Sequence, residues 1–137
     1  MRALIDTSFL VASMLPRDTH HVRARAALMS MGIGHVTCEP VLSELFYFVA
    51  ERLPYSDAPR VFQLARSGTF SIQALTVDDR SRMEEIAIQY ADSELDYADL
   101  ALMALSERLN IRRIYTFDHR DFSIFRPRHC DYLEILP

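Results

Sequence analysis

Ala3-Leu4-Ile5-Asp6-Thr7-Ser8-Phe9-Leu10-Val11-Ala12 joins two patterns end to end, and the junction sets the fold. The first three residues are a short apolar run, the mark of a strand buried on both faces, and the run stops at a carboxylate. Thr7 and Ser8 offer the side-chain oxygens that favour a helix start, and the apolar residues behind them predict a helix through about Leu15. Strand, acidic turn and helix form the opening unit of an α/β sheet.

The chain continues in the same rhythm. Pro16-Arg17-Asp18-Thr19 reads as a turn, and Val22, Ala26, Ala27 and Met29 give His20–Met31 a helical spacing. A strand is expected near His35–Thr37, then a helix from about Pro40 to Leu53, with Pro40 suited to its first turn. Pro54 ends that helix, and another follows from about Asp57 to Ala65. Phe70–Leu75 alternates like a strand, Val77–Tyr90 and Leu95–Leu109 return to helix, and Arg113–Phe117 and Tyr132–Leu136 close with strands, the last at an edge. Such alternation predicts an α/β class, a three-layer α/β/α domain on a mostly parallel sheet of about four to five strands. No repeat or linker divides residues 1–137, which read as one domain.

Composition removes several functions. A net charge of -4 argues against coating nucleic acid by bulk attraction, although local arginines can still hold phosphates. All 15 basic residues are arginine. Without lysine, and with three glycines, the chain supports neither a P-loop nor the lysine of a response-regulator receiver. Ser8 stands where a haloacid-dehalogenase-type phosphatase carries its second aspartate. Cys38 and Cys130 fit no zinc spacing and read as reduced thiols. No apolar run has the roughly 18–20 residues of a membrane span, and no leader-like segment opens the chain, so a cytoplasmic location is expected.

The informative residues are carboxylates set in apolar patterns. Asp6 ends the first strand, and Asp118 follows Ile114-Tyr115-Thr116-Phe117. Glu44 has Val41 at i−3 and Phe48 at i+4, and Asp99 has Leu95 at i−4 and Leu102 and Met103 ahead. Asp96 precedes Asp99 by one turn and is expected to point the same way. In open parallel sheets the ligand crevice lies beyond the carboxyl ends of the strands, at the switch in strand order. Carboxylates gathered there repel one another unless a cation compensates, and magnesium and manganese prefer such oxygen ligands. Two such ions about 3.5–4 Å apart can activate water and stabilise the leaving oxygen of a phosphodiester. Singly, each residue has a plain alternative. Asp6 could be only a helix cap, Glu44 a solvated neighbour of the core, Asp96 a charge answering the helix dipole, and Asp118 a turn residue.

The order and setting of these groups resemble the PIN domains. Asp6-Thr7-Ser8 looks like their opening motif, Ser43-Glu44-Leu45 their second acidic position and Asp96-Tyr97-Ala98-Asp99 their third. Thr116-Phe117-Asp118-His119-Arg120-Asp121-Phe122 is similar to their closing motif, and Phe125-Arg126-Pro127-Arg128-His129 resembles a tail of the VapC-type toxins. The resemblance implies that Asp6, Glu44, Asp99 and Asp118 form an acidic quartet binding Mg²⁺ or Mn²⁺, with Asp96 auxiliary. It makes Ser8 and Thr116 orienting hydroxyls, and lets Asp121 support Asp118 or share its role. It further implies an endoribonuclease acting on RNA, a homodimer, and an antitoxin that blocks the cleft. Phe46, Tyr47 and Phe48 agree with a dimer, because they spread apolar surface around more of the third helix than one core-facing stripe needs.

Arg17, Arg120, Arg126 and Arg128 are candidates for phosphate contacts, since a guanidinium can grip phosphate through two bonds. Two other readings stand beside the toxin: a non-catalytic PIN-like module for RNA binding or assembly, and a PIN nuclease of RNA maturation.

Overall fold

The computed structural model describes residues 1–137. Strand β1 (Leu4–Ile5) is followed by α1 (Thr7–Met14), α2 (His21–Ser30), β2 (His35–Thr37) and α3 (Glu39–Arg52). A single tight turn at Tyr55–Asp57 leads to α4 (Arg60–Arg66), β3 (Phe70–Ile72) and α5 (Val77–Gln89). Next come α6 (Tyr97–Arg108), β4 (Arg113–Tyr115), α7 (His119–Ile124) and β5 (Glu134–Leu136). The five strands run in the order β3-β2-β1-β4-β5, and every pairing is parallel. The architecture is the expected three-layer α/β/α sandwich.

Burial explains which segments lie at the centre. Leu4 and Ile5 are sealed from solvent, as a central parallel strand covered on both faces requires. Helix α1 is apolar nearly all round and is buried from Phe9 to Met14, and α6 is buried from Ala98 to Ser106. Both helices therefore pack inside the molecule, and the polar groups at their N-termini are carried inward with them. Strand β1 pairs with β2 on one side and β4 on the other, with Leu4 opposite both Val36 and Ile114. Strand order reverses between β1 and β4, so the crevice of such a sheet opens past Ile5 and Tyr115.

Several boundaries differ from the sequence reading for local reasons. Helix α6 begins at Tyr97 rather than Leu95, because Asp96 is extended and its Oδ1 accepts the Asp99 N–H at 2.9 Å. Asp96 is thus the cap of the helix and not a residue one turn along its face. The segment after β4, for which the sequence offered no more than a turn at Asp118, holds α7. Its six residues bury one large side chain, Phe122, too little to set up a legible period. Helix α5 starts at a capping box, with Thr76 and Asp79 exchanging bonds at 2.9 and 3.0 Å. Arg108, at the end of α6, reaches back to Asp79 at 2.9 Å and fixes α5 against α6.

Candidate active site

Asp6 emerges from the end of β1 with 3% of its surface exposed, and Thr116 leaves the end of β4 fully buried. Asp6 occupies the cap position of α1, yet its carboxylate makes no capping bond. Instead Oδ2 accepts the Thr116 hydroxyl at 2.6 Å and the Ser8 hydroxyl at 2.9 Å. Thr116 Oγ1 also accepts the Asp118 N–H at 2.9 Å, and Ser8 Oγ accepts the Phe117 N–H at 2.9 Å. Two hydroxyls therefore tie the carboxyl ends of β1 and β4 together and fix the direction in which Asp6 points. Thr7 acts in the same way at a distance, its Oγ1 donating to Glu44 Oε1 on α3 at 2.7 Å. Thr7 and Ser8 were expected to cap α1, but both hydroxyls are spent on carboxylates.

Asp99 faces Asp6 from the first turn of the buried helix α6 and is 6% exposed. Asp118 caps α7, its Oδ1 accepting the Asp121 N–H at 3.3 Å. One carboxylate oxygen each from Asp99, Asp118 and Asp121 lies within 4.8 Å of the others. Asp121 Oδ1 is buried and has no hydrogen-bond partner, and the nearest cation, Arg120 Nη1, stays 4.0 Å away. Half-buried Glu44 and exposed Asp96 complete the wall of a cleft of about 370 Å³ that also contains Asp6, Asp99 and Asp118.

The electrostatics match the crowding. Burial, followed by the neighbouring charges of Asp6, Asp96, Asp118 and Asp121, pushes the Asp99 carboxyl up to about 9. Burial also raises Asp6, although the Thr116 and Ser8 hydroxyls pull it down. Glu44 is raised by burial and then by Asp96 and Asp6, against the Thr7 bond. Asp121 is raised by burial and by Asp118. A buried oxygen with no partner, set among crowded carboxylates of which several are raised, fits a centre built for a hard divalent cation. The donors are all oxygens, which suits magnesium or manganese rather than a softer metal.

The structure separates the four arginines. Arg120 is exposed at the start of α7, beside Asp121. Arg17 lines a depression that adjoins the cleft and shares Asp18 and Arg52 with it. Arg126 is turned to the carbonyls of Ser123 and Phe125, and Arg128 pairs with Glu85 on α5 at 2.8 Å. None of the four lines the cleft itself, whose one arginine is Arg52.

Other lining groups escaped the sequence reading: His20, Phe48, Arg52 and Phe117. Two of them carried a signal. Glu44, Phe48 and Arg52 follow at i+4 steps on one face of α3.

A 3-2-1-4-5 parallel sheet with an acidic centre at its switch point defines a class of small α/β domains. The chain belongs to the PIN domain family, whose model matches residues 3–126. It is 28% identical over 134 residues to Ribonuclease VapC26 of Mycobacterium tuberculosis, covering 98% of this chain and 99% of that one. Its fold superposes on Mycobacterium tuberculosis VapC20, described as a sarcin-ricin loop cleaving toxin, with a TM-score of 0.83. That match covers 93% of this chain and 98% of the other, at 22% identity. VapBC2 of Rickettsia felis gives 0.68 at 15% identity over the whole of both chains. A toxin–antitoxin complex from Klebsiella pneumoniae also gives 0.68, at 21% identity, covering 90% of this chain and 92% of that one. The resemblance to VapC-type proteins read from the motifs thus reappears in both sequence and fold.

Proposed function

We propose that this protein is an endoribonuclease that hydrolyses RNA phosphodiester bonds with Mg²⁺ or Mn²⁺, acting as the toxin of a type II toxin–antitoxin pair. The observation that carries the reading is the convergence of one carboxylate oxygen each from Asp99, Asp118 and Asp121 within 4.8 Å, and Asp121 also carries a buried oxygen without a hydrogen-bond partner. Asp6, Asp99 and Asp118 would hold the cation with Asp121 beside them, and Glu44 and Asp96 would act from the wall. When bound, a divalent ion supplies positive charge for the phosphate and lowers the pKa of water. The protein's own part is orientation. Ser8 and Thr116 aim Asp6, Thr7 aims Glu44, and Asp96 fixes the first turn of α6 under Asp99. To serve as a ligand the Asp99 carboxyl, pushed up to about 9, would have to give up its proton, so ion binding would release protons.

Arg120 and Arg17 are assigned to phosphate contacts, being exposed near the cleft. Support for the toxin assignment comes from the names of the relatives, a ribonuclease and toxin–antitoxin proteins. An antitoxin partner follows from that likeness. A homodimer is supported by Tyr47, Tyr55 and Phe62, which leave apolar rings exposed around α3 and α4. A clustered set of raised carboxylates has no use in a non-catalytic module, so the catalytic reading is preferred. The test is cleavage of total RNA with and without Mn²⁺. Wild type should cut with the ion present, and folded Asp6→Asn should not. Equal cutting by both would defeat the assignment.

A further inference from the structure

The cleft has a second feature that metal chemistry does not use. His20 lies on Phe117 with ring centroids 4.2 Å apart and planes within 4° of parallel. Phe117 is held from other sides by Phe9, at 6.1 Å, and by the Arg23 guanidinium, 5.7 Å from its centroid. His20 is exposed and lines the same cleft as Asp6 and Asp99, so its uncovered face is the one turned away from Phe117. Its backbone is pinned, with the N–H donating to Asp18 Oδ1 at 2.8 Å. It stands at the cap of α2, yet its ring makes no capping bond. An exposed aromatic ring stacked flat on a second ring at the wall of a cleft adds nothing to the core. It is the kind of surface on which an unstacked base rests, because every base has a π-face.

On the far side of Asp18 the cleft runs into the depression lined by Arg17 and Arg52, and Arg52 lies over the Phe48 ring at 4.9 Å. Two cations therefore continue the path away from the carboxylates, where a backbone phosphate would be repelled less.

We propose that the His20–Phe117 stack is a nucleobase subsite beside the carboxylate centre. One base flanking the scissile phosphate stacks on His20, and the neighbouring phosphate runs towards Arg52 and Arg17. This inference rests on the ribonuclease reading and goes beyond it by naming the groups that seat a base and the phosphate next to it.

The test uses intact protein with Mn²⁺ and a short single-stranded RNA carrying one mapped cleavage site. Abasic residues are placed in turn at the nucleotides flanking the cut. At one position wild type should lose about tenfold or more in kcat/KM, chiefly in KM. His20→Ala should show a similar loss on the normal RNA and no further loss on that abasic RNA. His20→Tyr, which restores a flat ring, should recover most of the activity. The same sequence held in a duplex should be cut poorly by all three. If wild type cuts RNA but no abasic position matters, the subsite is wrong and the ribonuclease reading stands. If wild type fails to cut any RNA, both fall. The abasic series needs no variant, so a poorly folded His20→Ala does not blunt the test.

Discussion

Replacing Asp99 by Asn probes the acidic centre without touching RNA. Asp99 is 6% exposed and held up at about 9 by burial and its acidic neighbours. Unfolded, its carboxyl returns to the ordinary range near 4. Between those values the folded chain binds the extra proton, so stability without metal falls as pH rises. The slope approaches ~1.4 kcal/mol per pH unit for one proton, or ~2–4 kcal/mol between about pH 5 and about pH 8. Asparagine keeps the shape and has no charge to bury. Asp99→Asn should therefore gain ~2–4 kcal/mol relative to wild type between about pH 5 and about pH 8 in chelator.

Asp6, Glu44 and Asp121, which are also raised, weaken the fold with rising pH in the same sense, so Asp99 is read from the difference between the two proteins. His35 is held down mainly by burial, so its contribution is present at high pH and lost as pH falls, equally in both proteins. Asp79 and Glu107 lie below their ordinary values because Arg108 and Arg82 bond them, outweighing their burial. Their stabilisation is lost only in acid, below the window. Urea unfolding at the two pH values measures the effect. A stability difference that stays constant with pH would refute the reasoning.

Three further outcomes follow from the same geometry. Thr116→Val removes the hydroxyl shared by Asp6 and the Asp118 N–H and should cost ~1–3 kcal/mol in urea unfolding while abolishing cleavage; unchanged activity would show that Asp6 needs no aiming. Arg120→Ala should weaken RNA binding, less so at high salt, and leave Mn²⁺ affinity unchanged in parallel titrations; the reverse pattern would make the start of α7 part of the metal site. Phe62→Glu, placed in the exposed apolar groove of α3 and α4, should shift light scattering from dimer to monomer, whereas a wild type that is monomeric at high concentration would remove the dimer.

The sheet was legible because its strands are short apolar runs, and because Asp6 and Asp118 sit where parallel strands end. Asp99 was legible too, as a charge in an otherwise apolar helix face. What escaped was local and geometric. Asp96 looked helical by spacing, but only its extended backbone shows that it caps Asp99. Helix α7 was too short for periodicity, so Asp121 was read from a loop although a helix turn brings it beside Asp118. Thr7 and Ser8 satisfied the rule for a helix start, and that rule hid their bonds to Glu44 and Asp6. His20 joins Phe117 across 97 residues of chain, a contact no local pattern announces.

The central claim is that one cluster of carboxylates both binds the ion and cuts RNA. Mn²⁺ titration by calorimetry, with RNA cleavage read on the same samples, tests it in wild type, Asp99→Asn, Asp118→Asn and Asp121→Asn. Wild type should bind Mn²⁺ with release of protons and cleave in proportion to occupancy, while Asp99→Asn and Asp118→Asn lose binding and cleavage together. Cleavage that persists in chelator, or variants that stop binding Mn²⁺ yet still cut, would contradict it.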